Sequence, residues 1–257
     1  MQAGGSPTTD DAPVVRLEIV GSTNAEALHR AREGTRGPLW VTATAQSAGR
    51  GRQGRVWASP PGNLYASLLL TDPAPPDRAA ELSFVAALAL HDALAHCAPL
   101  IAHELTLKWP NDLLLKGAKL AGILIEAEGG GEKALSVVIG FGVNCTSHPH
   151  DASYPATDLV TCGARLAPAV LFDALSAAMP GRLSQWARGA DFAAIRSDWL
   201  QRAGGVGASI RVRTGKRDLQ GVFTGLDSHG RVVLVLPDGT NETISAGEVF
   251  PLEPVLA

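Results

Sequence analysis

Cysteine is scarce in this chain. The 257 residues contain three, Cys97, Cys145 and Cys162, odd in number and widely spaced. That excludes a disulfide framework and points to a reducing compartment, the cytoplasm. Long apolar runs are also missing. The stretches at 84–94 and 137–143 fall well short of the roughly 20 residues that cross a bilayer, so no membrane span is expected. Residues 1–13 are polar and acidic, with no basic segment ahead of an apolar run, which excludes a signal peptide. Neither sign of charge dominates. A formal net charge of −3 gives no reason to expect nucleic acid as the main partner.

Apolar residues make up 46% and charged residues 18%, enough apolar material for a sizeable core. The length exceeds the usual single-domain mode and suggests one large domain with a small one. Residues 1–13 read as a disordered tail. Val14 to Val20 reads as a strand, Ala25 to Arg32 as a helix, and 39–45 and 63–71 as strands. Thr23 and Glu26 have capping-box spacing. Glu81 to Cys97 is a helix with a mostly apolar surface that must be buried. Its His91 and His96 lack partners at metal-ligand spacing and read as packing or surface residues.

Four strands on short turns follow: 105–109, 113–115, 119–128 and 134–143. They predict an antiparallel meander, unlike the strand–helix alternation of a doubly wound fold. Gly140-Phe-Gly142 opens no helix and is therefore no dinucleotide fingerprint, so neither NAD nor flavin is expected. Two helices are expected at 168–188 and 191–202, the first interrupted at Pro180-Gly181. Residues 203–207 read as a hinge. Beyond Ser209 the hydrophobic period becomes two, with Asp238-Gly239 a hairpin signal. The expected fold class is α+β: a central mixed, largely antiparallel sheet packed with helices over 14–205. A small β-barrel of SH3-like size over 206–257 completes it.

Chemistry concentrates in three stretches. The loop after the second strand, Gln46-Ser-Ala-Gly-Arg-Gly-Arg-Gln-Gly-Arg-Val-Trp57, carries Arg50, Arg52 and Arg55 interleaved with Gly49, Gly51 and Gly54. Glycine permits positive φ and close approach of a ligand to the main chain. Arginine brings a fixed charge and a fork that matches phosphate oxygens. Such a loop suits closure over a phosphate-bearing ligand, although Gly-Arg runs also occur in solvated segments. Lys108-Trp-Pro-Asn-Asp112 places a cation, a turn and a polar pair at a strand end. A carboxylate beside an amide suits magnesium shared with a nucleotide, and equally suits a plain Asn-Asp turn. Lys119 comes seven residues after Asp112 across a tight turn that can bring both to one side. Cys145, His148 and His150 make a poor zinc set: the spacing is irregular and a fourth ligand is lacking, so no zinc is expected.

Taken in order, the 46–55 loop, Lys108-Trp-Pro-Asn-Asp112, Lys119-Leu-Ala-Gly-Ile123 and Val138-Ile-Gly-Phe-Gly-Val-Asn144, with Ser22-Thr-Asn24, resemble the biotin–protein ligases over residues 14–257. The resemblance implies a catalytic domain like those of class II aminoacyl-tRNA synthetases. It also implies the monofunctional type: regulatory members carry an N-terminal winged helix, for which this sequence offers no room, so no DNA binding is expected.

The implied reaction joins biotin to ATP as biotinyl-5′-AMP. It then transfers biotin to a lysine of the biotin carboxyl carrier protein of acetyl-CoA carboxylase. By resemblance, Ser22, Thr23, Asn24, Gln46, Arg50, Gly51, Arg52, Lys119 and Gly122 would hold biotin. Arg50, Arg52, Arg55, Trp57, Lys108, Asn111, Asp112 and Asn144 would hold ATP and the adenylate. Lys119 and Arg52 would be catalytic, and Asp112 would bind magnesium. A lipoate–protein ligase and a non-catalytic biotin- or nucleotide-binding module are the alternatives. An exposed sheet edge could pair two copies into a homodimer.

Overall fold

The computed structural model describes residues 12–149, 154–215 and 217–251. The tail expected over 1–13 lies mostly outside these. At Pro13, within the described part, the carbonyl accepts from the Trp40 N–H at 2.8 Å. The chain runs β1 (Val14–Val20), α1 (Thr23–Arg32), β2 (Leu39–Gln46) and β3 (Leu64–Thr71), then α2 (Leu82–Cys97). The meander follows as β4 (Leu105–Lys108), β5 (Asp112–Leu115), β6 (Ala118–Gly130) and β7 (Lys133–Val143). Next come α3 (Pro168–Trp186) and α4 (Phe192–Arg202). The chain closes with β8 (Ser209–Arg213), β9 (Asp218–Leu226), β10 (Val232–Val235), β11 (Asn241–Ile244) and β12 (Glu248–Pro251).

The large sheet has the order β1-β2-β3-β7-β6-β5-β4, and only β1 and β2 run parallel. β3 sits inside it, and Leu64 to Leu70 are all buried. The cause is cover on both faces. On one, Ala27 and Leu28 of α1 pack against Val41, Leu69 and Val138. On the other, α2 and α3 build the main core, where Trp40 meets Phe172 edge-on at 5.4 Å. α2 is buried on nearly every side, which its apolar sequence demands.

Two expectations need correction. α3 does not break at Pro180: it runs unbroken from Pro168 to Trp186. An internal proline costs about 3 kcal/mol. Leu175, Met179 and Trp186 are buried on both sides of it, and large side chains contribute roughly 1.5–3 kcal/mol each on burial. Arg182 adds ion pairs to Asp92 on α2 (2.7 Å) and Asp198 on α4 (2.6 Å). The cap of α1 also shifts by one residue. Ser22 is the N-cap, accepting from the Ala25 N–H, while Glu26 pairs with Arg30 at 2.8 Å. Thr23 is thereby free to face away from the helix end.

The C-terminal strands form one antiparallel sheet of order β11-β10-β9-β8-β12. Among the described residues no pairing of β11 with β12 closes it into a barrel. The segment read as a hinge is tied down, with Gly204 N–H on the Leu107 carbonyl (2.9 Å) and Gly207 N–H on that of Phe223 (2.7 Å). Gly230 docks this sheet on the main body. Its carbonyl accepts from Trp109 Nε1 at 2.9 Å, and a Cβ there would stand 2.7 Å from the Phe84 ring. Residues of β8 and β12 therefore reach the strand ends that carry the motifs.

Candidate functional site

A cavity of about 400 Å³ opens where the N-terminus of α1, the loop after β2, the β4–β5 turn and the start of β6 converge. Its floor is made by β6 and β7, where Gly122 stands opposite Gly142 and Leu124 opposite Gly140. These glycines leave space that side chains from elsewhere fill. A Cβ at Gly140 would lie 2.2 Å from Asn24 Oδ1, and one at Gly142 would lie 2.5 Å from Trp57 Nε1. Gly140 and Gly142, which do not make a dinucleotide loop, thus make a flat floor.

One end of the cavity is a neutral polar clamp. Gln46 Oε1 accepts from the Thr23 N–H (2.8 Å) and hydroxyl (3.1 Å), and its Nε2 donates to Ser59 Oγ at 2.9 Å. Ser67 Oγ donates to Asn24 Oδ1 at 2.6 Å and stands 2.8 Å from Thr23 Oγ1. Thr23 and Asn24 are buried and their polar atoms are fixed by these bonds, while buried Ser22 caps α1 on the Ala25 N–H.

The other end is cationic. The loop after β2 is a small hairpin in which Arg50 bridges Val56 and Arg52–Gly54 forms the tip. Arg50 pairs with Glu126 at 3.2 Å, Arg55 with Glu248, and Arg52 Nη1 donates to Asn111 Oδ1 at 3.3 Å. Lys119 Nζ lies 2.7 Å from Asp112 Oδ1 and faces the rings of Trp57 (5.4 Å) and Tyr154 (5.1 Å). Lys108 lies over the Phe250 ring at 5.6 Å. Burial lowers the pKa of Arg52 and of Lys108, and Asp112 and Glu248 only partly offset it. A second cause for Arg52 is its neighbour Arg55, and for Lys108 its neighbour Lys119. Cations depressed in this way gain from an incoming anion.

The structure gathers Ser22, Thr23, Asn24, Gln46, Arg50, Gly51, Arg52, Arg55, Trp57, Lys108, Asn111, Asp112, Lys119 and Gly122 around this one cavity. Asn144 is placed elsewhere. It is buried, and its Nδ2 donates to the Thr157 carbonyl at 2.9 Å, tying down the segment that leads to Tyr154. Sequence reasoning missed Arg213, Glu248 and Phe250, which reach the cavity from the C-terminal sheet, and Tyr154. It also missed Ser67 and Glu126 behind the clamp. Ser67 had one signal, as a small polar residue in the middle of a buried, mainly apolar strand. Of the weak zinc set, His150 lies outside the described residues. Cys145 is a buried thiol whose pKa burial pushes up to about 12, and His148 Nδ1 is 2.6 Å from Asp158 Oδ2.

Residues 18–144 match the biotin/lipoate A/B protein ligase family and residues 206–250 the biotin protein ligase C terminal domain. Over 244 residues the chain is 43% identical to biotin–[acetyl-CoA-carboxylase] ligase of Paracoccus denitrificans, covering 91% of this chain and 98% of that protein. The chain belongs to the biotin–protein ligase family. Within that family it is 31% identical to the bifunctional ligase/repressor of Escherichia coli, over 93% of this chain and 74% of the relative. The fold matches the Aquifex aeolicus biotin protein ligase solved with biotin and ATP, at a TM-score of 0.78 and 24% identity, covering 93% and 97% of the two chains. The Leishmania major biotin protein ligase solved with biotinyl-5-AMP matches at a TM-score of 0.65 and 26% identity, covering 91% and 99%.

Proposed function

We propose that this chain, an ATP-dependent ligase, activates biotin and passes it to the biotin carboxyl carrier protein of an acetyl-CoA carboxylase. In the first step a carboxylate oxygen of biotin attacks the α-phosphorus of ATP. The bond to the bridging oxygen breaks, leaving biotinyl-5′-AMP and pyrophosphate. In the second, a lysine amine of the carrier attacks the acyl carbon, loses a proton and expels AMP. The observation that carries this reading is the convergence of Arg50, Arg52, Arg55 and Lys119 around one cavity, beside a neutral clamp built by Ser22, Thr23, Asn24 and Gln46. A neutral, hydrogen-bonding head with an acidic tail fits that polarity, and so does the triphosphate its carboxylate must meet.

Joining two anions needs positive charge fixed where charge builds up, and needs no protein nucleophile. Lys119 and Arg52 take that catalytic role. Lys119 is held against Asp112 and beside two aromatic rings, so its charge is already in place. Ser22, Thr23, Asn24 and Gln46 hold the biotin head, with Gly51 and Gly122 giving close backbone approach. Arg55, Lys108 and Asn111 serve the phosphates. Trp57, whose Nε1 has no hydrogen-bond partner among the described residues, offers adenine a stacking face. An adenine contact by Asn144 would draw on its Oδ1 or second Nδ2–H, since the bond to Thr157 uses one N–H.

Magnesium is implied by the triphosphate. Asp112 offers one carboxylate, engaged by Lys119 through Oδ1, which leaves a second oxygen for a cation. A single protein carboxylate fits an ion that takes most of its ligands from phosphates and water. When bound it would neutralise phosphate charge.

The first test is biotin-dependent ATP–pyrophosphate exchange, with lipoate in a parallel arm. Exchange with biotin alone supports the proposal, exchange with lipoate alone replaces the substrate, and exchange with neither removes the catalytic reading. Gly142→Ala bears on the floor. The new Cβ would meet the Trp57 ring, and overpacking of this kind costs about 1–3 kcal/mol. Exchange is expected to fall by at least about tenfold, with circular dichroism showing the fold intact and the melting temperature lowered by no more than the overpacking accounts for.

A further inference from the structure

Glu126 lies on β6, two residues beyond cavity-lining Leu124, and touches two functional elements with one carboxylate. Its Oε2 accepts from Asn24 Nδ2 at 2.8 Å, and its Oε1 is 3.2 Å from Arg50 Nη2. One contact is to the N-terminus of α1, the other to the hairpin after β2. We propose that Glu126 is a positioning residue that sets which way the Asn24 amide faces, and so determines biotin binding; the inference rests on the biotin reading above.

An asparagine amide has two nearly isosteric orientations, and its neighbours select between them. Asn24 Oδ1 rests on Ser67 Oγ at 2.6 Å. A hydroxyl can donate or accept, so Ser67 tolerates either orientation. The Leu124 carbonyl favours Nδ2 but is distant, at 3.4 Å. Glu126 is an acceptor only and lies close. Turning the amide would set Oδ1 against its carboxylate. Asn24 is 4% exposed and a Cβ at Gly140 would collide with it, so the amide is pressed flat on the floor and water does not replace the lost partner. The Arg50 contact is weaker, because both side chains are partly solvated, at 46% and 28% exposure. The main effect therefore runs through Asn24.

The test is steady-state kinetics of biotin-dependent pyrophosphate release with Glu126→Ala, Glu126→Gln and Glu128→Ala. Glu128 is the control: it lies two residues along the same strand and pairs with Arg32 at 2.5 Å, away from the cavity. Glu126→Ala is expected to raise the biotin KM by about 10- to 100-fold, the range of a lost charge-assisted hydrogen bond. The ATP KM should stay within about twofold, and kcat should change less than the biotin KM. Glu126→Gln, which presents either end of an amide, is expected to fall between wild type and alanine, and it carries the test if the alanine variant does not fold. Glu128→Ala should match wild type within about twofold. Adding Glu126→Ala to Asn24→Ala should cost little further, because the carboxylate acts through that amide. An unchanged biotin KM in both Glu126 variants, or losses that multiply in the double variant, would overturn the inference. Absence of biotin-dependent release in the wild-type enzyme would instead overturn the functional reading.

Discussion

Lys119→Ala is expected to slow biotin-dependent pyrophosphate release by about 10²–10³, the usual effect of removing one preorganised donor from a reacting centre. The size follows from placement. Lys119 is the second residue of β6, just ahead of buried Leu120 and Ala121, and its side chain is only 17% exposed, with its ammonium on Asp112 and framed by Trp57 and Tyr154. Water cannot readily take over its charge there. The effect should lie in kcat more than in either KM, since the charge matters most as carboxylate and phosphorus join. Arginine at this position restores charge but not the compact ammonium, so Lys119→Arg should recover the rate only in part. Quenched-flow measurement of pyrophosphate decides the matter, and a rate within about threefold of wild type in Lys119→Ala would remove the residue from the catalytic step.

Arg52→Ala is expected to do two things at once. Adenylation slows by about tenfold or more, and biotinyl-AMP escapes into solution. Arg52 sits at the hairpin tip, reaching Asn111 on the far side of the cavity at 3.3 Å. It is the cross-link from the loop to the β4–β5 turn. Removing it both subtracts a cation and loosens the cover that keeps water from the mixed anhydride. Chromatography of the supernatant after spin filtration measures the escaped adenylate. If the variant is slow but retains its adenylate as wild type does, Arg52 is a charge and not a cover.

The motifs that read clearly in the sequence are local in the chain. The Gly-Arg hairpin and Lys108 to Asp112 each present several functional groups within a few residues, and the structure brings both to one cavity. The four-strand meander was equally legible, because short turns between apolar strands leave an antiparallel meander as the simple solution, whereas the pairing of β3 with β7 joins strands far apart in the chain. What escaped depends on contacts distant in the chain. Glu248 meets Arg55 and Phe250 meets Lys108 only once the C-terminal sheet has docked through Gly230 and Trp109. No local pattern near residues 248–250 announces that meeting. Pro180 shows propensity yielding to packing: the rule for an isolated helix predicts a break, and burial of Met179 and Trp186 outweighs it. The cap of α1 shows a near miss of another kind. Thr23 has the right spacing for a cap, but Gln46 and Ser67 offer its hydroxyl better-placed partners, so Ser22 takes the role.

The most direct measurement is a single turnover with ATP labelled in its α-phosphate, excess enzyme and biotin, and no acceptor. The label should pass into an enzyme-bound biotinyl adenylate together with release of one pyrophosphate, remain there, and convert to AMP only when a carrier domain is added. Appearance of ADP, or of free AMP from the outset with no adenylate detected, would contradict the account.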